Sequence, residues 1–171
     1  MTVSRLFPAN PVLALAAALA MAMALMTIVA AMPAAAQDGV CRVGPGAQCP
    51  GADLRRHILS NRDLSRANFQ NANMSGTNMS STYLADANLS GANMAGANLG
   101  KSAVIDANLA GANLSGANLG NAYLDRSDLR NANLTGANVD GASFNGANLT
   151  GATWIDGKPW CQKLYPWDKC K

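Results

Sequence analysis

Glutamate is absent from this sequence of 171 residues, so all ten acidic residues are aspartate. Glycine and asparagine are abundant instead, and both are poor helix formers. We therefore predict that most of the chain is not helical.

Histidine is almost absent too, since His57 is the only one. No Ser, Cys or carboxylate is placed around it by a recognisable motif, so a catalytic triad is not supported. The chain offers Asn, Ser and Gly, but no paired general acid and base. We therefore predict no catalytic residues, no cofactor and no enzyme activity.

The first 36 residues differ in composition from the rest. One charge, Arg5, precedes an apolar run from Val12 to Met32, and the segment closes on Ala34-Ala35-Ala36. A basic start, an apolar middle and small residues before a cut are typical of a signal peptide. Residues 1–36 are therefore predicted to be cleaved, and the protein to be periplasmic or extracellular. The alternative is an uncleaved anchor, because the apolar run is about long enough to span a bilayer.

Strong net charge is the third feature that the sequence lacks. Cleavage after Ala36 leaves 171 − 36 = 135 residues, enough for one small domain, and removing Arg5 lowers the formal charge from +3 to +2. Such a weak balance argues neither for nucleic acid nor for an acidic partner.

Four cysteines bracket the remaining chain: Cys41, Cys49, Cys161 and Cys170. An even number in an exported protein suggests disulfides, for which three pairings exist. Pairs close in sequence, Cys41 with Cys49 and Cys161 with Cys170, are favoured. Zinc is disfavoured, because seven or eight residues separate the members of each pair and histidine is scarce.

Between the cysteine pairs, twenty-one consecutive five-residue units run from Ala52 to Asp156 without an insertion or deletion. Residues 112–116, Ala-Asn-Leu-Ser-Gly, are typical, and the positions of a unit are numbered 1 to 5 in this order. Position 3 is apolar in every unit, from Leu54 to Trp154. A helical step of five residues turns about 500°, so these side chains would form no buried stripe. A helix is thereby excluded.

Extended geometry suits the unit better. Positions 1 and 3 share one side of an extended chain while position 2 points the other way, and the following Ser-Gly or Thr-Gly pair favours a turn. Four such units close a square coil of twenty residues, and stacked coils lie about 4.8 Å apart. Twenty-one units make five coils and one extra side, with Ala at position 1 in fifteen of them leaving room for the larger residue at position 3.

The A-[DN]-L-x-x pattern closely resembles the pentapeptide-repeat family, over 105 of the 135 residues that follow the predicted cut. The resemblance implies an all-β fold, a right-handed quadrilateral β-helix, and no common enzymatic activity. One branch of that family mimics DNA and protects topoisomerase in the cytoplasm. This chain departs from that branch in its export signal and its slightly positive charge.

Every fourth unit falls on the same side of the coil. Three sides repeat Asn at position 2, which is a structural feature of β-solenoids. The fourth side breaks the pattern and is the candidate interaction face, with Tyr83, Ile105, Tyr123, Asp86, Asp106 and Arg126. Aromatic and aliphatic residues gathered on one surface indicate a protein contact, with Ile105 expected to be exposed. Neutral drift on a tolerant surface is the alternative.

Two aspartates on this side raise the question of a metal. Asp86 and Asp106 are stacked neighbours, but Arg66 and Arg126 flank them, so that the ladder neutralises itself. We therefore predict no metal site.

Both ends of a solenoid expose a strand edge and a slice of core. Residues 37–51 are predicted to close the first end as a cysteine loop, residues 52–156 to form the β-helix, and residues 157–171 to cap the second end. The candidate capping aromatics are Trp154, Trp160, Tyr165 and Trp167. His57 and Arg62 do not suit an apolar bore, so the first coil is expected to be distorted or open toward water.

These features predict a non-catalytic structural or protein-interaction module. Its expected partner is an unknown protein, with self-association as the other option. Nucleic acid is not expected, nor is a membrane once the signal peptide is cleaved. The alternative is a periplasmic or extracellular protein whose C-terminal aromatics bind a glycan or cell-wall fragment.

Mass spectrometry of the protein isolated from its host tests the export prediction. We expect a chain that begins at Gln37 and lacks four thiols, as two disulfides require. Comparison with a reduced sample provides the control. A full-length chain with free thiols would contradict both the cleavage and the disulfides.

Overall fold

The fold is seen in a computed structural model that describes residues 41–158. The predicted signal peptide lies outside the described residues. Five residues predicted to form the second cap and its disulfide also lie outside the described residues: Trp160, Cys161, Tyr165, Trp167 and Cys170.

The described chain winds as a four-sided coil of twenty residues per turn. Residues at position 2 form isolated parallel bridges with residues twenty positions away, from Gln48 with Asn68 to Asn133 with Thr153. Neither a helix nor a strand longer than one bridge occurs within 41–158. The bridging residues define four faces: face 1 (Gln48, Asn68, Asn88, Asn108, Asp128, Asn148), face 2 (Asp53, Asn73, Asn93, Asn113, Asn133, Thr153), face 3 (Ile58, Asn78, Asn98, Asn118, Asn138) and face 4 (Asp63, Tyr83, Ala103, Tyr123, Ser143).

Backbone hydrogen bonds join each coil to the coils on both sides of it. Asn113 donates its N–H to the Ala92 carbonyl at 2.9 Å, and Leu114 donates to the Asn133 carbonyl at 2.7 Å. Neighbouring coils thus satisfy each other's backbone groups, and a single coil has no partner of its own.

A tight turn separates successive faces. The N–H at position 1 of one unit donates to the carbonyl at position 3 of the unit before, as from Ala117 to Leu114 at 3.0 Å. From Arg56 to Gly151, position 5 carries a positive φ, which a type II turn requires of its third residue. Glycine adopts it freely, as at Gly116 with φ 63°, and Asn or Asp tolerates it, as at Asp106 with φ 56°.

The core fills the bore with the side chains of positions 1 and 3. The largest buried side chains in the middle of the array include Phe69, Met74, Leu84 and Leu114. Where position 1 is polar, the hydroxyl is paired: Thr77 donates to the Leu54 carbonyl at 2.8 Å. No buried polar side-chain atom between residues 41 and 158 lacks a hydrogen bond.

The β-helix begins one unit earlier than the predicted boundary at Ala52. Gln48 bridges Asn68 on face 1, and Cys49 is buried in the column of position 3 residues. This unit has Gln instead of Asn at position 2 and Cys instead of Leu at position 3, so it does not match the repeat pattern. A buried Cys nevertheless behaves as a small apolar side chain. A disulfide joins Cys49 to Cys41 across a Cα–Cα distance of 5.4 Å.

The first coil is regular rather than distorted. Ile58 and Asp63 bridge the second coil in the normal register, and Leu59 and Leu64 are buried. The His57 and Arg62 side chains are exposed to solvent, in keeping with a coil that is open at its end. Water therefore solvates both polar groups, and the backbone need not adjust to them.

The opposite end of the described array is less completely buried. Val139, Phe144, Ala147 and Trp154 are all half-buried. The Phe144 and Trp154 rings meet edge to face, with centroids 5.6 Å apart. Trp154 thus packs against the edge of the core, and its role as a cap stays a prediction.

Asparagine side chains form ladders outside the backbone on faces 1, 2 and 3. Asn98 accepts a hydrogen bond from the Gly100 N–H at 3.0 Å and another from Asn118 Nδ2 at 3.0 Å. Its own Nδ2 donates to Asn78 Oδ1 at 3.4 Å. Asn108 only caps its turn, by accepting from the Ala110 N–H at 3.0 Å. One residue type therefore both closes turns and links coils.

We expect Asn98→Ala to lower the free energy of unfolding by about 1–3 kcal/mol, because three hydrogen bonds are lost. Asn108→Ala is the matched control, and it should cost only about 0.5–1.5 kcal/mol, since one bond is lost. Chemical denaturation followed by circular dichroism measures both. Equal losses would show that the ladder bonds contribute nothing.

Candidate interaction face

Face 4 has no asparagine at position 2, and its middle three coils carry tyrosine or alanine. Tyr83, Ala103 and Tyr123 take the place of Asn there, and consecutive bridges join them in that order. Tyr83 is 60% exposed and Tyr123 is 53% exposed. Two steps of the coil spacing place their backbones about 10 Å apart.

The tyrosines are not needed for the coil itself. The backbone of face 4 keeps its register, with Tyr83 donating its N–H to the Arg62 carbonyl at 2.9 Å. Asp63 in the first coil still caps its turn, by accepting from the Ser65 N–H at 2.9 Å. Tyr83 and Tyr123 have no such cap to offer, because a phenol cannot reach back as a short carboxamide does. Their exposed rings therefore contribute surface rather than structure.

The predicted exposure of Ile105 is wrong, because its side chain is half-buried beside face 4. Ile105 occupies position 4, within the turn that separates face 4 from face 1. A more exposed aliphatic residue is Ile58, at 73%, on face 3 of the first coil. Its place among asparagines at position 2 is the sequence feature that could have revealed it.

The charged column between faces 4 and 1 is only partly paired. Arg126 binds Asp106 through two hydrogen bonds, Nε to Oδ1 at 2.8 Å and Nη2 to Oδ2 at 2.5 Å. These bonds, and the positive charge behind them, hold the pKa of the Asp106 carboxyl below its ordinary value. Neither Asp86 nor Arg66 forms an ion pair, so the predicted four-residue ladder is half formed. Asp86 thus keeps an exposed carboxylate.

Asp125, at position 4 beside Tyr123, is a feature that the sequence did not reveal. Its Oδ1 accepts hydrogen bonds from the Ser143 hydroxyl and from the Asn145 N–H, the second at 2.9 Å. The Asn145 side chain in turn donates to Ser143 Oγ at 3.0 Å. The carboxylate is therefore held in place, while Oδ2 has no hydrogen-bond partner.

One surface ion pair lies in the first coil. Arg55 binds Asp53 at 2.6 Å, which lowers the pKa of Asp53 to about 2, and His57 Nδ1 lies 3.2 Å from the Arg55 carbonyl. No cluster of three metal-ligating side chains occurs between residues 41 and 158. The exposed tyrosine rings and the Asp125 carboxylate of this face are groups that can contact another protein.

Comparison with protein families identifies the repeat. The model for pentapeptide repeats (8 copies) matches residues 63–100, 105–138 and 127–153. The chain belongs to the pentapeptide-repeat family. It adopts the right-handed quadrilateral β-helix of that family. Proteins of this kind are generally repeat scaffolds without catalytic activity.

Several solved pentapeptide-repeat structures are similar to this chain. HetL, involved in heterocyst differentiation regulation in the cyanobacterium Nostoc sp. strain PCC 7120, is 30% identical over 68% of this chain and 63% of its own, with a TM-score of 0.44. A second protein from Nostoc PCC 7120 is 31% identical over 61% of this chain and 81% of its own, with a TM-score of 0.48. A third protein, from the Arabidopsis thaliana thylakoid lumen, is 29% identical over 73% of this chain and 74% of its own, with a TM-score of 0.26.

This chain spans less than two thirds of the length of HetL. No curated protein matches the chain. Within residues 41–158 there is no helix of the length and hydropathy needed to cross a membrane.

We expect Arg126→Gln to raise the pKa of Asp106 toward its ordinary value, because the two hydrogen bonds and the nearby charge are lost. In the wild type this carboxylate should stabilise the fold above its unfolded-state pKa of about 3.9, and the contribution should fade as pH falls through the lower folded-state pKa. NMR titration of the Asp carboxyl carbons measures both proteins. Asp63, whose lowered pKa comes mainly from Ser65, is the control and should not change.

Proposed function

We propose that this chain is an exported, non-catalytic interaction module that binds another protein through face 4. The observation that carries the proposal is the exposure of Tyr83 and Tyr123 on the one face without an asparagine ladder. Tyrosine is enriched at the centres of protein interfaces, because its ring buries a large apolar area and its hydroxyl can still find a partner.

The contrast between faces supports the choice of face 4. On the other three faces, ladder side chains bond to one another, as Asn113 does to Asn93 at 3.2 Å. A partner that bound there would compete with these internal bonds. On face 4 the tyrosine side chains form no hydrogen bond or ring contact within residues 41–158, so contact with a partner breaks nothing.

Surface charge favours a protein partner over nucleic acid. Between residues 41 and 158 there are nine Lys or Arg side chains and eight Asp side chains. Nucleic-acid binding relies on an excess of basic groups, and mimicry of DNA relies on an excess of acidic ones. This surface has neither excess.

The disulfide supports export. A Cys41–Cys49 bond that closes the first end of the β-helix persists in oxidising compartments and is rare in the cytosol. The predicted signal peptide of residues 1–36 points in the same direction. A periplasmic or extracellular partner follows from both features.

Affinity capture tests the proposal. Immobilised wild-type protein and the double variant Tyr83→Ser, Tyr123→Ser are exposed to the periplasmic and extracellular fractions of the host, and bound proteins are quantified by mass spectrometry. We expect the double variant to lose about tenfold or more of the specific partner, as removal of two central aromatic residues implies. Ile58→Ser is the matched control, since it removes an exposed apolar side chain from face 3.

Thermal unfolding of all three proteins establishes that each is folded, and ultracentrifugation shows whether the captured partner is a second copy. Equal capture by the wild type and the double variant would overturn the proposal. Glycan binding that survives in the double variant, but is lost in Trp160→Ala, would favour the glycan alternative instead.

A further inference from the structure

The sequence contains a single Asn-Gly pair, Asn145 followed by Gly146. The two residues occupy positions 4 and 5 of their unit, in the turn between face 4 and face 1, and both are exposed to solvent. We propose that Asn145 deamidates spontaneously, with the Gly146 backbone nitrogen as the nucleophile, and that the isoaspartate product loosens the last two units of the β-helix. This inference goes beyond the proposed function and does not depend on it.

The reaction is intramolecular and needs only water. The Gly146 nitrogen loses its proton to solvent and attacks Cγ of Asn145, while the side-chain nitrogen takes up a proton and leaves as ammonia. Water then opens the resulting succinimide ring at either of its carbonyl carbons. Opening at one carbon yields aspartate, and opening at the other yields isoaspartate, whose main chain runs through the former side chain. Glycine favours the attack, because no Cβ obstructs the nitrogen.

In the inner turns, the peptide that joins positions 4 and 5 is hydrogen-bonded through both of its groups. The Ser115 carbonyl accepts from the Gly96 N–H at 2.9 Å. The Gly116 N–H donates to the Thr135 carbonyl, also at 2.9 Å. Rotation of this peptide plane, which would bring the nitrogen toward the side chain at position 4, therefore breaks two hydrogen bonds.

The peptide between Asn145 and Gly146 is held through one group only. The Asn145 carbonyl accepts from the Arg126 N–H at 2.8 Å. The Gly146 N–H has no hydrogen-bond acceptor within residues 41–158, where no further coil follows it. The nitrogen must still rotate toward Cγ, because a type II turn directs it away. That rotation breaks one hydrogen bond fewer than in an inner turn, so the reactive conformation is more populated.

A hydrogen bond to the Asn145 side chain slows the reaction. Asn145 Nδ2 donates to Ser143 Oγ at 3.0 Å, and this bond must break before the nitrogen can leave. Asp125 supports the arrangement, because its Oδ1 accepts hydrogen bonds from the Ser143 hydroxyl and from the Asn145 N–H. Removal of the Asp125 carboxylate should therefore speed the deamidation.

Isoaspartate at residue 145 would displace the chain that follows it, because it adds one carbon to the main chain. The Asn148 and Thr153 N–H groups donate to carbonyls of the coil before, both at 2.9 Å. An added main-chain atom shifts these groups out of register with their acceptors. Since they lie at the end of the described array, local opening there costs less than in the middle.

Peptide mapping of aged protein tests the site. The purified full chain is incubated at neutral and at mildly alkaline pH, digested with trypsin and analysed by mass spectrometry with fragmentation. We expect Asn145 to be converted, and faster at the higher pH, because the nitrogen attacks in its deprotonated form. Asn121 and Asn131 are each followed by alanine and should remain intact. Equal conversion of Asn131, or no conversion of Asn145, would overturn the proposal.

Ser115→Asn provides the matched control, because it creates a second Asn-Gly pair in an inner turn. We expect Asn145 to react about fivefold faster than the introduced asparagine, as one hydrogen bond fewer implies. Equal rates would show that the free Gly146 N–H has no influence. Asp125→Ala should speed conversion of Asn145 about threefold, as loss of a supporting hydrogen bond implies, whereas Asp140→Ala should not change it.

Hydrogen exchange tests the consequence for the fold. The isoaspartate form is separated from aged protein by chromatography and identified by enzymatic methylation. We expect protection of the Asn148 and Thr153 N–H groups to fall about tenfold, as local opening at a terminus implies, while that of Asn113 is unchanged. Asn145→Asp carries the same charge on a normal main chain and should keep the protection. Equal protection in the isoaspartate form and in Asn145→Asp would refute the loosening.

Discussion

The twenty-residue register is the constraint on which the rest of this structure depends. A typical unit donates one backbone hydrogen bond to the coil before it, as Asn113 does, and two to the coil after it, as Leu114 and Gly116 do. A single inserted residue would shift every later apolar side chain out of the bore and leave buried backbone groups unpaired. The unbroken sequence of units follows from that cost.

The same register converts sequence columns into surfaces. Residues twenty positions apart become neighbours, so that repeated asparagines bond into ladders on three faces. On face 4 the stacked residues are Tyr83, Ala103 and Tyr123, which differ in size and present aromatic surface instead of a ladder of hydrogen bonds. Variation at an outward position costs the fold little, since the backbone bonds remain. A solenoid can therefore acquire a binding surface without a change in its core.

The first end shows how the fold manages its exposed edge. Cys49 is both a core residue of the first unit and one partner of a disulfide, so the covalent bond is anchored in the bore. Val43 and Ala47 pack against the core from the same segment. This segment covers part of the first end, while His57 and Arg62 stay exposed, and it shortens the open strand edge that would otherwise invite association.

The sequence by itself determined the coil, its four faces and the place of the tyrosines. In a strict five-residue repeat, the face on which a residue lies follows from its number and does not depend on side-chain conformation. Tertiary structure decided the rest. Cys49 became visible as a core residue only through the bridge that its neighbour Gln48 forms with Asn68, and Ile105 is half-buried rather than exposed. Arg126 turned to Asp106, and Asp125 was fixed by residues one coil away, since rotamers and contacts between coils settle such choices.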